Sequence, residues 1–172
     1  MKVQKIALLG VLLAATIVIA IIESFIPSFT IPGIKLGFAN IVILVTLYEL
    51  GIWEAVFINV VRVLVVSFVR GTFLSMGFFM SLAGAFMSLG IMILFYLVIK
   101  KFSIVGVSVI GSLFHVTGQI LIAMIYMGSL YVVYYLPIIA FSALITGVVV
   151  GVIARAIIKT GVIKKQREKY NF

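Results

Sequence analysis

A hydrocarbon layer of about 30 Å is crossed by a helix of roughly 20 apolar residues. This 172-residue chain repeats apolar blocks of about that length from one end almost to the other. Its residues are 65% hydrophobic and 10% charged, against roughly 45–50% and 25% in soluble domains. That excess excludes an ordinary soluble domain and predicts an all-α membrane protein.

Hydropathy and turn signals divide the chain into six spans, at 5–26, 38–52, 54–70, 72–99, 103–127 and 133–158. The weakest division is Gly51-Ile52-Trp53-Glu54; without a turn there, the count falls to five. The start, MKVQKIALLGVLLAATIVIA, has the charged head and apolar run of a signal peptide, but the run continues to Ile26 without a small-residue cleavage site. It is therefore expected to remain as the first span. The whole chain, 1–172, reads as a single transmembrane substrate-binding domain, without a long repeat or low-complexity tract.

Thirteen Lys and Arg against four acidic residues, all Glu, give a formal charge of +9. In a soluble protein this would suggest nucleic acid, but here the cations crowd at the ends of apolar segments, so no nucleic-acid partner is expected. Lys and Arg accumulate on the cytoplasmic side of short loops. A six-helix bundle with both termini cytoplasmic puts Lys2, Lys5, Lys100, Lys101, Arg155, Lys159 and the cations after Gly161 inside, and only Lys35 and Arg70 outside. The basic tail, IIKTGVIKKQREKYNF, is expected against anionic lipid headgroups. The loop FIPSFTIPGIKLG, 25–37, is too short and apolar for a soluble domain and is expected to fold over the outer end of the bundle.

Arg62 falls inside the third span, where a guanidinium is costly and turns towards a partner, the bundle interior or a wet cavity. Helical spacing puts Asn59, Arg62, Val66 and Arg70 on one face. The fifth span carries Ser108, Ser112, His115 and Gln119 at spacings of four, three and four, with Tyr126 beyond. Glu23, Lys35 and Asn40 lie near the outer ends of the loop and its flanking spans. Each has a structural alternative: Arg62 pairing with Glu23 or with carbonyls, His115 and Gln119 bonding a neighbouring helix, and Lys35 snorkelling to the interface. Taken together they point to an outward-opening pocket for a guest with negative charge or several acceptor oxygens.

Small residues form a second pattern: Ala7, Gly10 and Ala14 with Val11 in the first span, Ser81 to Ser88 in the fourth, and Gly147 and Gly151 in the sixth. Most are expected to pack helices inside the bundle, while the first-span face is free to meet another membrane protein. Zero cysteines remove thiolate chemistry. No GxxxxGK[ST] loop, nucleophile elbow or aspartate occurs, and the single His rules out a His-rich metal cluster. Neither an enzyme nor a cofactor is expected.

The segments PGIKLGFANIVILV, EAVFINVVRVLVVSFVRGTFLS, SLAGAFMSL, GVSVIGSLFHVTGQILIA and YLPIIAFSALITGVVVGVIA resemble the Gx transporter family. That family is also labelled heptaprenyl diphosphate synthase component I and is grouped with the S components of energy-coupling factor transporters. The resemblance implies a six-helix subunit in the plasma membrane of a prokaryote that captures a small amphipathic or anionic precursor, isoprenoid- or quinone-related, from outside. It implies partnership with a transmembrane coupling protein and two ATPase subunits, docked through Ala7, Gly10, Val11 and Ala14; Val11 departs from the alanine of that pattern. Two alternatives stand beside it: a non-catalytic accessory subunit of a prenyl diphosphate synthase, and an autonomous secondary transporter.

Overall fold

The computed structural model describes residues 3–25, 37–99 and 102–170. Its helices are α1 (Val3–Ser24), α2 (Asn40–Glu49), α3 (Ile52–Val69), α4 (Met76–Val98), α5 (Ile104–Met127), α6 (Leu136–Thr160) and α7 (Val162–Tyr170), with a 3-10 turn, Leu130–Tyr135, leading into α6. Five segments, namely α1, α3, α4, α5 and the 3-10 turn running into α6, are long and apolar enough to cross a membrane. The protein is a multi-pass, all-helical membrane protein.

The expected second span differs. The apolar run of 38–52 yields a helix of only 10 residues, about 15 Å at 1.5 Å per residue and half of a hydrocarbon layer. Every residue from Asn40 to Leu47 is buried, so α2 is a plug inside the bundle, apolar all round because it has protein all round. The division at residue 51 is a real turn: Gly51 takes φ +127°, a backbone conformation open to glycine, and α3 starts at the next residue.

α4, α5 and α6 pack in succession, α2 is inserted between α6 and α3, and α1 lies against α3 and α2. Glycines set the closest approaches. A Cβ on Gly118 of α5 would stand 2.8 Å from the Ala83 carbonyl oxygen, and Cβ atoms on Gly147 and Gly151 of α6 would stand 2.8 and 2.7 Å from the Cα atoms of Val109 and Val105. The α4 and α6 small-residue patterns thus serve internal packing, as expected. Ser108 and Ser112 belong to this same α5–α6 seam, each lying against one of the two α6 glycines.

Two contacts gather both chain ends with the Gly51 turn. Lys5 of α1 forms an ion pair with Glu54 of α3, and Arg167 of α7 donates to the Glu49 carbonyl oxygen at 3.1 Å. α7, which hydropathy does not reveal, docks there by burying Ile163 in a cluster with Leu9, Leu47, Ala55 and Ala154. Apolar packing dominates this end of the bundle. Asn59 and Arg62 of α3, Ser81 of α4, and His115 and Gln119 of α5 lie farther along, towards the opposite end.

Candidate functional site

Asn59 and Arg62 sit one turn apart on the buried face of α3, 1% and 6% exposed. The Asn59 amide donates to the Ala85 carbonyl oxygen of α4 at 3.0 Å, which turns its oxygen towards Arg62. That oxygen accepts from Arg62 Nη2 at 2.9 Å. The guanidinium is therefore held on one side by an oriented neutral amide. Its Nε–H is buried with no acceptor among the described residues. An N–H left so is unusual, since well over nine in ten buried polar groups are partnered.

A cavity of about 30 Å³ lies beside it, room for about two water molecules. Its polar lining is Glu23 of α1, Arg62 and Ser67 of α3, Thr72, Ser81 of α4 and His115 of α5. Glu23 is not within ion-pair distance of Arg62 among the described residues; its Oε1 accepts from the Gly37 backbone N–H. The Glu23–Arg62 lock is thus replaced by two separate attachments that face one cavity. Gly37 takes φ +89° and runs close over His115 and Asn40: a Cβ there would meet Asn40 Nδ2 at 3.1 Å and His115 Cδ2 at 3.4 Å.

The Gln119 side-chain amide and His115 Nε2 are hydrogen-bonded to each other at 2.9 Å. The pair is pressed against α4 at Gly84, where a Cβ would stand 2.8 Å from the His115 carbonyl oxygen and 3.1 Å from Gln119 Cγ. Asn40, at the start of α2, donates to Ser88 of α4 at 3.3 Å.

Of the residues singled out by sequence, Glu23, Arg62 and His115 line the cavity, and Asn59, Gln119 and Asn40 are buried supports around it. Arg70 is not brought in: α3 ends at Val69, and Arg70, its C-cap, is exposed. Tyr126 is likewise exposed, at 60%. Lys35 and most of the 25–37 loop lie outside the described residues. Ser67, Thr72 and Ser81 are cavity residues that sequence reasoning missed; Ser81 was legible only as a small residue for helix packing. Among the described residues, no three His, Cys, Asp or Glu side chains come together as a metal site.

The expected partner face on α1 is open. Ala7, Gly10, Val11 and Ala14 are all exposed, and nothing stands within 4 Å of a Cβ built on Gly10. No curated protein and no solved structure matches this chain. The model of one family does match, over residues 12–157, and the chain belongs to that family, described as heptaprenyl diphosphate synthase component I.

Proposed function

We propose that this protein is the membrane-embedded substrate-binding subunit of an energy-coupling factor type importer. It captures a small amphipathic molecule with an acidic head, isoprenoid- or quinone-related, from outside. The observation that carries this reading is Arg62: a buried guanidinium fixed by Asn59, with its Nε–H unaccepted beside a polar cavity. A charge at this depth is maintained against its solvation cost where it has work with a partner or guest. His115, Gln119 and Asn40 shape the site, and Lys35, which lies outside the described residues, is the further cation this reading assigns to the guest.

The bundle crosses the membrane six times in this reading, α2 forming a half-length crossing, with both termini cytoplasmic in the plasma membrane of a prokaryote. The grouping of Lys5, Glu54, Glu49 and Arg167 at one end supports that parity. Energy for release comes from partners: a transmembrane coupling protein, docked on the exposed Ala7–Ala14 face, and two ATPase subunits. The chain itself performs no catalysis.

A second reading is favoured by the family's own description as a synthase component. In it the chain is a non-catalytic membrane subunit that co-purifies with a soluble catalytic chain. Native purification in mild detergent tests both. Mass spectrometry should find a small acidic molecule retained by the unaltered chain and lost from folded Arg62→Ala, together with coupling protein and ATPases. A prenyl synthase chain as the stoichiometric partner, with no retained molecule, would replace the first reading with the second.

A further inference from the structure

The cavity beside Arg62 measures about 30 Å³, room for about two water molecules, so it can hold the head of a guest and not its body. Where the body lies follows from where the cavity meets the outside. Of its described lining residues only Thr72, in the connection between α3 and α4, and Gly77, in the first turn of α4, are partly exposed; the others are buried.

Phenylalanines stand at that mouth. Phe78 is part of the cavity wall. The Phe73 ring lies 5.1 Å from it, centroid to centroid, and Phe68 stacks on Phe73 at 4.2 Å with the planes 17° apart. Exposure rises along the series, from 6% at Phe78 through 39% at Phe73 to 62% at Phe68. The three rings form a continuous strip from the cavity wall to the surface of the bundle.

We infer that this strip is the subsite for the apolar body of the guest, and that it selects a flat unsaturated ring over a saturated ring or a branched chain. The inference rests on the pocket reading above, and of the two guest classes named there it favours the quinone-related one. Any apolar side chain would bury a hydrocarbon body, but rings in offset or edge-on contact add roughly two- to tenfold in affinity for a further ring, beyond the area buried. The same face gives a saturated body no such gain.

Membrane anchoring does not account for the strip. Interfacial belts are built from Trp and Tyr, whose polar tips reach the headgroups, and positions 66–80 contain four Phe and neither of those residues. The connection between α5 and α6, at the same end of the bundle by the alternation of the spans, does carry such residues: Tyr126, Tyr131 and Tyr134 are each at least 60% exposed. Ring chemistry at this end is thus divided, with tyrosines where nothing but the interface is at hand and phenylalanines where the Arg62 cavity opens.

The test uses the full chain in lipid nanodiscs and probes that share one head and differ in body: acetate, phenylacetate, cyclohexylacetate and 4-methylpent-3-enoate. Benzyl phosphate and cyclohexylmethyl phosphate repeat the comparison on a phosphorylated head. Binding is read by competition calorimetry as the part lost in Arg62→Gln, which removes partition into the lipid. The phenyl probe of each set is expected to bind about fivefold more tightly than its cyclohexyl and branched counterparts, and phenylacetate at least about tenfold more tightly than acetate. Replacing Phe68 and Phe73 together by Leu, which keeps apolar area at exposed positions, should shrink the ring preference to within about twofold while acetate binding is retained. Phe86→Leu, at a 49% exposed position of α4 outside the stack, should leave the preference unchanged. Equal binding of the three bodies, or a ring preference that survives loss of Phe68 and Phe73, would overturn the inference and leave the pocket reading standing. If no probe binds in an Arg62-dependent way, the pocket reading falls and takes this inference with it.

Discussion

Arg62 is held by Asn59, and Asn59 is held in turn by a backbone carbonyl of the neighbouring helix: the amide oxygen accepts from Nη2 at 2.9 Å while the amide nitrogen donates to Ala85 at 3.0 Å. A neutral amide fixes the direction of the guanidinium without cancelling its charge. A carboxylate in the same place would have done both.

That difference is testable at residue 59. Asn59→Ala removes the acceptor and lets the guanidinium swing. Ligand affinity should fall about tenfold, and stability by about 1–3 kcal/mol for the buried groups left unpaired. Asn59→Asp supplies an internal counter-ion, and its binding should be weaker still than that of Asn59→Ala. If calorimetry ranks the two variants the other way, Asn59 does not act by orienting the Arg62 charge without neutralising it.

Gly84 offers a second handle on the site. A Cβ there would press on the His115 carbonyl, on His115 Cε1 and on Gln119 Cγ at 2.8 to 3.1 Å. Gly84→Ala should therefore push α5 and the His115–Gln119 pair away from α4, costing about 1–3 kcal/mol as an overpacked core does. Affinity should drop in parallel. Gly90→Ala, on the same helix with nothing within 4 Å of its Cβ, is the control and should leave both quantities unchanged.

Much of this site was legible in the sequence because a charge or amide within an apolar run has few reasons to be there. Arg62, Asn59, His115, Gln119 and Glu23 all fell to that argument, and all are buried around one region. Arg70 did not join them, since i+4 spacing places a residue on a face only while the helix continues, and α3 stops at Val69. Ser108 and Ser112 follow the periodicity of His115 yet face α6, because a helix packed between α4 and α6 buries more than one stripe. The shortness of α2 was hidden as well. Hydropathy sees a largely apolar run from Phe38 to Leu50, whereas the helix begins only at Asn40, after the Gly37 turn. α7 escaped because a polar segment gives no hydropathy signal; its docking includes the buried side chain of Ile163 and a bond from Arg167.

The open face of α1 and the closed glycine seam of α6 predict opposite behaviour for similar substitutions. Gly10→Leu should leave thermal unfolding within about 0.5 kcal/mol of the unaltered chain, as for a surface change, because nothing surrounds that position. It should nevertheless prevent recovery of a coupling protein in a pull-down. Gly151→Leu would drive its side chain into Val105 and Ser108 and should abolish folding. An unchanged pull-down with Gly10→Leu would remove α1 as the docking surface.

Residue 74 carries strain of another kind. Leu74, in the α3–α4 connection next to the cavity residue Thr72, takes φ +59°, a left-handed conformation that costs a branched side chain roughly 1–2 kcal/mol. Its side chain is 61% exposed, so little packing is lost on replacement. Leu74→Asn, which tolerates that conformation, should raise stability by about 0.5–1 kcal/mol, read as a higher midpoint in thermal unfolding.

At the end where both termini meet, α7 should matter for stability and not for binding. Ile163→Ala empties a buried position in the cluster around Leu47 and Ala55 and should cost about 2 kcal/mol, the low end for a large-to-small core change. Arg167→Gln weakens the tie to Glu49 and should cost about 0.5–1.5 kcal/mol. Because Arg62 and its cavity are built from α1, α3, α4 and α5 without any contribution from α7, ligand Kd should stay within about twofold in both variants, less than 0.5 kcal/mol. Calorimetry and thermal unfolding on the same preparations separate the two effects. A large loss of affinity in Ile163→Ala would show that the terminal helix is coupled to the guanidinium through α2 and α3, and the site would then have to be described as part of one cooperative unit with the end that carries α7.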